Sequence, residues 1–101
     1  MFAPPRMIKA EVFARLPDKF RRAGTESDWL QKQLKSIGGG FPTHSFLEGP
    51  SFDRDGNLYC VDISYGRIFR VSPSGEFEVA AEYDGNPNGL KIHRDGRIFI
   101  A

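Results

Sequence analysis

The feature that most constrains this chain is a repeat. The stretch "EGPSFDRDGNLYCV", starting at Glu48, aligns with "NGLKIHRDGRIFIA", starting at Asn88, at a constant offset of 40 residues. Gly49 falls on Gly89, Phe52 on Ile92, Arg54-Asp55-Gly56 on Arg94-Asp95-Gly96, Leu58 on Ile98 and Tyr59 on Phe99. A period of this size filled with short strands is the pattern of an all-β protein of the β-propeller type, with one blade per repeat. Helical solenoids share the period but not this strand-rich composition.

Turn residues set the rhythm. They cluster at Arg54–Gly56, Ser64–Gly66, Pro73–Gly75, Asp84–Pro87 and Arg94–Gly96, about one turn per ten residues, which is the spacing of an antiparallel meander. The spacing predicts strands over 50–53, 57–63, 67–72 and 76–82 as one four-stranded blade. The next blade begins near Gly89 and contributes two strands by Ala101. Leu58–Val61 is apolar on both faces, as in a strand covered from both sides. The run 76–82 alternates, with Glu76, Glu78 and Glu82 expected on one wet face. A closed propeller needs at least about four blades, and about one and a half are present. Residues 46–101 therefore read as the first blade and the start of the second of a truncated propeller. The remaining blades of the same protein are the expected partner, with closure by oligomerisation as the alternative. The apolar run Ile98–Ala101 would leave a sticky edge, so these residues alone are expected to associate.

Residues 1–45 have a different character and form the expected N-terminal region. "IKAEVFARL" alternates loosely and predicts a strand. "TESDWLQKQLKSIGGG" predicts a helix capped by Thr25 or Ser27, with Asp28 in its first turn and Gly38-Gly39-Gly40 at its end. Leu30, Leu34 and Ile37 make its apolar stripe, with Trp29 beside it, and the helix is expected to pack over one end of the propeller.

Composition excludes several function classes. A formal net charge of +1 gives no electrostatic basis for binding nucleic acid or an anionic membrane. No apolar run approaches a membrane span, and the start lacks the apolar stretch of a signal peptide, so the expected location is cytoplasmic. Cys60, the single cysteine, lies inside an apolar strand run and reads as a small buried residue. His93 sits beside a turn and reads as exposed. His44, four residues before Glu48, can point toward it.

Glu48 and Asn88 occupy the same place in successive repeats, each just before the glycine that opens an innermost strand. In a propeller such strand starts gather round the axis at one mouth. A carboxylate and an amide oxygen there are hard donors suited to calcium or magnesium. A poorly hydrated carboxylate needs a positive partner, and Leu47 and Phe52 are expected to pack around it, with Pro50 stiffening the approach. The same residues also allow a plainer reading, a rim carboxylate and an ordinary turn asparagine.

"EGPSFDRDGNLYCVDI", "YGRIFRVSPSGE" and "NPNGLKIHRDGRIFIA" together resemble the SMP-30/gluconolactonase/LRE-like family over residues 46–101. The resemblance implies a six-bladed propeller that hydrolyses small-molecule lactones or esters with a divalent metal, calcium first, zinc or magnesium as alternatives. It implies that Glu48 is a metal ligand and that Asn88 contacts substrate or metal-bound water. The other ligands and the catalytic base would lie beyond Ala101. Some members carry an arginine two residues before the pocket asparagine, for sugar acids; here that position is Asn86. The repeats also look like those of YWTD-type propellers, which bind proteins without catalysis, and of strictosidine-synthase-like propellers, which run a condensation.

Overall fold

The computed structural model describes residues 1–23, 27–38 and 44–101. Among the described residues six strands form two antiparallel sheets. The first holds β1 (Leu47–Phe52), β2 (Leu58–Asp62), β3 (Arg67–Val71) and β4 (Phe77–Glu82) in simple sequential order; the second pairs β5 (Leu90–Ile92) with β6 (Ile98–Ile100). The strands begin and end within three residues of the positions expected from the turns, because glycine-containing turns fix where each hairpin reverses.

Both faces of β2 and β3 are covered. On one face Val61, Ile63 and Ile68 meet Leu90, with Trp29, Tyr59 and Ile92 packed against them. On the other, Cys60 and Phe69 meet Leu16, flanked by Phe20 and Phe77. Phe20 and Phe77 both stand edge-on to Phe69, at 5.3 and 5.7 Å between ring centroids. We refer to these as the Val61 face and the Cys60 face. The second repeat covers the former; the N-terminal segment covers part of the latter.

That segment is not a strand. Residues 1–17 carry no regular structure, and Asp18–Phe20 forms one 3-10 turn. "IKAEVFARL" alternates, but a strand also needs a partner for its backbone N–H and C=O groups, and among the described residues none pairs with it. Leu16 alone of that run is buried, while Ile8, Val12 and Phe13 stay exposed. The region crosses the sheet as an irregular strap.

Helix α1 (Asp28–Ser36) is shorter than the expected span. Its cap is Ser27, whose Oγ accepts the Leu30 N–H at 3.2 Å; Thr25, Gly39 and Gly40 lie outside the described residues. Leu30 is buried, Leu34 half-buried and Ile37 exposed. Trp29 completes the inward face, standing edge-on to Phe46 at 5.3 Å. The helix packs against the 3-10 turn Ile63–Tyr65 that joins β2 to β3. Among the described residues no helix is long and apolar enough to cross a membrane.

Strand β4 departs from its sequence pattern. Ile68 pairs with Ala81 but Phe69 pairs with Val79, leaving Ala80 as an extra residue. This bulge reverses the alternation. Glu78 pairs with Arg70 on the Val61 face, whereas Glu82 pairs with Arg67 on the Cys60 face. The expected single face of glutamates is thus split in two.

Candidate functional site

The site is built by a second bulge. In β1, Glu48 pairs with Val61 and Ser51 with Tyr59, so Gly49 and Pro50 together stand opposite Cys60. Gly49 takes φ 62°, and a Cβ placed on it would lie 2.9 Å from the Leu90 nitrogen and 3.2 Å from the Gly89 Cα. Only glycine accepts both the left-handed backbone and that approach. The first repeat thus rests its bulge directly on the start of the second. On the other side of that contact, Asn88 N–H donates to Ala101 O at 2.8 Å and Ala101 N–H to Gly89 O at 2.9 Å, anchoring the start of β5 to the end of β6.

The consequence is that Glu48 and Asn88 line one hollow of about 640 Å³, together with Gly49, Pro50, Gly89, Leu90, Lys91 and the 99–101 segment. Both side chains are exposed, so the cost of desolvating Glu48 does not arise in this chain. Leu47 and Phe52, expected to pack around it, pair with Asp62 and Leu58 and so belong to the Cys60 face, while Glu48 pairs with Val61; Leu47 nonetheless shares with Glu48 the wall of a second hollow of about 440 Å³, which Phe52 does not line. Apolar residues do flank the first hollow, but they are Pro50, Leu90, Phe99 and Ile100, three of them from the second repeat.

The other candidates lie elsewhere. His44 is half-buried, with Nδ1 3.0 Å from Ser45 Oγ, and it does not line the hollow. Asn86 donates from Nδ2 to Ile63 O at 2.8 Å. Its side chain ties the β4–β5 connection to the β2–β3 turn and leaves the hollow alone. His93 is exposed beside Asp95. Cys60 is buried; burial first, then the negative charge of Asp62, push its thiol from 9.0 up to about 11. That makes it inert as a nucleophile at neutral pH.

Sequence reasoning missed a buried ion pair at the same end of the sheet. Asp62 is 0% and Arg67 2% exposed. Arg67 donates to Asp62 Oδ2 from Nη2 at 2.6 Å and from Nε at 3.0 Å, and from Nη1 to Phe20 O at 2.7 Å. The other carboxylate oxygen, Oδ1, accepts the Phe46 N–H at 2.9 Å. The signal was present: both charges sit inside apolar runs, "YCVDI" and "RIFRV", where a solvated charge is out of place.

A divalent cation suits this donor set in kind. A carboxylate and an amide oxygen are hard ligands, but calcium takes about six to eight oxygens, and two side chains supply a minority of them. Among the described residues no group of three or more His, Cys, Asp or Glu converges.

Sheets stacked face to face in register with a sequence repeat, and oxygen-bearing side chains at equivalent strand starts, define a repeat-built all-β protein with a largely apolar hollow, bearing one carboxylate and one amide, where two repeats meet. Relatives of the chain include proteins named as lactonases. The chain is 35% identical over 78 residues to a Lactonase drp35 of Staphylococcus aureus and 37% identical over 79 residues to another; each match covers 75% of this chain and 22% of the relative. A Lactonase drp35 of Staphylococcus epidermidis is 42% identical over 57 residues, 54% of this chain and 17% of its own length. The chain is thus homologous to proteins named Lactonase drp35, in line with the resemblance carried by the blade motifs. It spans about 22% of the length of the first two of those relatives. No family model matches the chain, and no solved structure does.

Proposed function

We propose that the two sheets are successive blades of a β-propeller and that the complete protein hydrolyses small-molecule lactones or esters with the help of a divalent cation, calcium first. The observation that carries this is the seating of Gly49 on the Gly89–Leu90 backbone, which brings Glu48 and Asn88 to one hollow. The similarity to lactonases supplies the reaction class. The packing supports the propeller reading. Leu90 and Ile92, the repeat counterparts of Pro50 and Phe52, cover the Val61 face. The Cys60 face retains a mostly apolar hollow of about 440 Å³, walled by strap residues 12–14 as well as by sheet residues that include Leu47, Glu48, Leu58 and Val71, and the sheet of another repeat suits this half-covered face. The remaining blades of the same protein are the occupants this reading assigns.

A divalent cation, when bound, supplies Lewis-acid polarisation of the lactone carbonyl and positive charge for the developing oxyanion. Glu48 contributes a carboxylate oxygen to hold it. Asn88 presents its amide to substrate or to the attacking water and fixes their orientation. The lack of an arginine at position 86, and the use of Asn86 within the fold, favour a ligand other than a sugar acid.

The test is calcium titration alongside lactone hydrolysis in the complete protein. Glu48→Gln should weaken calcium binding and cut turnover about a hundredfold, with the unfolding midpoint little changed. Asn88→Ala should lower turnover more than calcium affinity. Parent-like binding and turnover in Glu48→Gln would leave the carboxylate a rim residue and favour a propeller that binds without catalysis.

A further inference from the structure

Resting on the assignment of Glu48 to a cation, we infer that the buried Asp62–Arg67 pair is its positioning device. Glu48 is fixed from two sides. Downstream, Gly49 is pressed on Gly89 and Leu90. Upstream, Phe46 is held by both its backbone groups: its N–H donates to Asp62 Oδ1 at 2.9 Å, and its C=O accepts the Ile63 N–H at 3.0 Å. Only Leu47 separates Phe46 from Glu48.

The carboxylate can serve Phe46 only if it is itself immobile, and Arg67 makes it so. Two guanidinium nitrogens engage Oδ2, the third reaches Phe20 O, and the guanidinium carbon lies 5.3 and 4.9 Å from the Tyr65 and Phe69 ring centroids. One buried pair therefore joins three segments: the N-terminal strap, the approach to β1 and the β2–β3 corner. A buried pair is weak evidence for stability in itself, since apolar residues of similar volume often stabilise as well or better. What apolar residues cannot do is accept the Phe46 N–H. The pair's distinctive product is the fixed path into Glu48, much as outer hydrogen bonds orient metal ligands elsewhere.

Breaking one partner alone would strand a buried charge and can unfold the protein. The test in the complete protein therefore uses the double variant Asp62→Leu/Arg67→Met, which removes both charges together. Calcium alone is titrated, and hydrolysis of δ-valerolactone gives kcat and KM. The double variant should lose about tenfold or more in calcium affinity, with kcat falling more than KM rises. A folded double variant with parent-like calcium affinity overturns the positioning role. A measurement on the parent does not depend on any variant folding: calcium should slow hydrogen exchange at the Phe46 amide, because coupling between two sites is reciprocal. No change there overturns the inference too. Glu48→Gln, measured alongside, separates the two levels. Unaltered affinity in Glu48→Gln overturns the site itself, whereas weakened binding there with unaltered binding in the double variant overturns only the role of Asp62 and Arg67.

Discussion

The turns over 53–57 and 93–97 stand at equivalent places in the two repeats, and their backbones follow the same path. Asp53 N–H donates to Asn57 O at 2.9 Å and His93 N–H to Arg97 O at 2.8 Å; Gly56 and Gly96 take φ of 82° and 91°. Their side chains solve the turn differently. In the first, the Asp53 carboxylate accepts the N–H groups of Asp55 and Asn57 and the Asn57 side-chain amide. In the second, His93 Nδ1 accepts the Asp95 N–H at 3.3 Å, and the Asp95 carboxylate binds Arg97 through both backbone N–H and guanidinium. What the repeat preserves is therefore a chain path, set by glycine and hydrogen-bond register. The groups that decorate it are exchangeable, and that freedom lets Glu48 and Asn88 share a position while differing in chemistry.

The sharpest way to break this comparison is at the paired glycines. Gly49→Ala forces a side chain into a left-handed backbone and against the Leu90 nitrogen, and should cost about 2 kcal/mol or more. Gly89→Ala meets nothing closer than the Ala101 Cβ at 3.8 Å, and should change stability by less than about 0.5 kcal/mol. Denaturant unfolding of both decides it; equal costs would mean that the bulge does not seat the repeats.

Next in size is the contrast between Cys60 and its counterpart Ile100, which is exposed. Native Cys60 should resist alkylation at neutral pH and react once denaturant is added. In an Ile100→Cys variant the new thiol should react at once. Because the folded state raises the Cys60 value from 9.0 to about 11, it holds the proton more tightly than the unfolded chain. Its contribution to stability is full below pH 9.0 and is lost as pH rises toward about 11. A flat stability profile across that window would contradict the burial.

The smallest effect belongs to the turns themselves. The Asn57 side chain, followed by the backbone N–H groups of Asn57 and Asp55, holds the Asp53 carboxyl below its ordinary 3.8. A depressed value contributes stability above 3.8 that disappears as pH falls through the folded value. Asp53→Asn should therefore blunt the acid sensitivity of amide exchange at Asn57, while His93→Asn should leave that of Arg97 in place, since Asp95 remains there.

The hairpins were legible because glycine turns and a fixed offset depend on local sequence. The convergence of Glu48 with Asn88 followed from the same offset. What sequence order concealed was decided by partners. Ile8–Leu16 has the alternation of a strand but no neighbour to pair with. Ala80-Ala81 interrupts the alternation of β4 with two small residues, too slight a mark to announce that Glu82 changes face. Asp62 and Arg67 look like ordinary charges five residues apart until the corner closes and buries them against Phe20 and Phe46.

The bulge at Ala80 also decides in which direction this sheet can recruit more protein. Among the described residues strand β4 has a hydrogen-bonded neighbour on one side only, and a flat strand in that position invites lateral pairing with any extended chain. The extra residue breaks its row of backbone donors and acceptors, and Glu78 and Glu82 place carboxylates above and below the plane, each held by an arginine at 2.8 Å. An incoming strand meets a kinked edge and charge on both sides, a combination that resists edge-to-edge aggregation. Along β4 the four-stranded sheet resists sideways extension, and another sheet laid against its face is the contact that this edge leaves favoured.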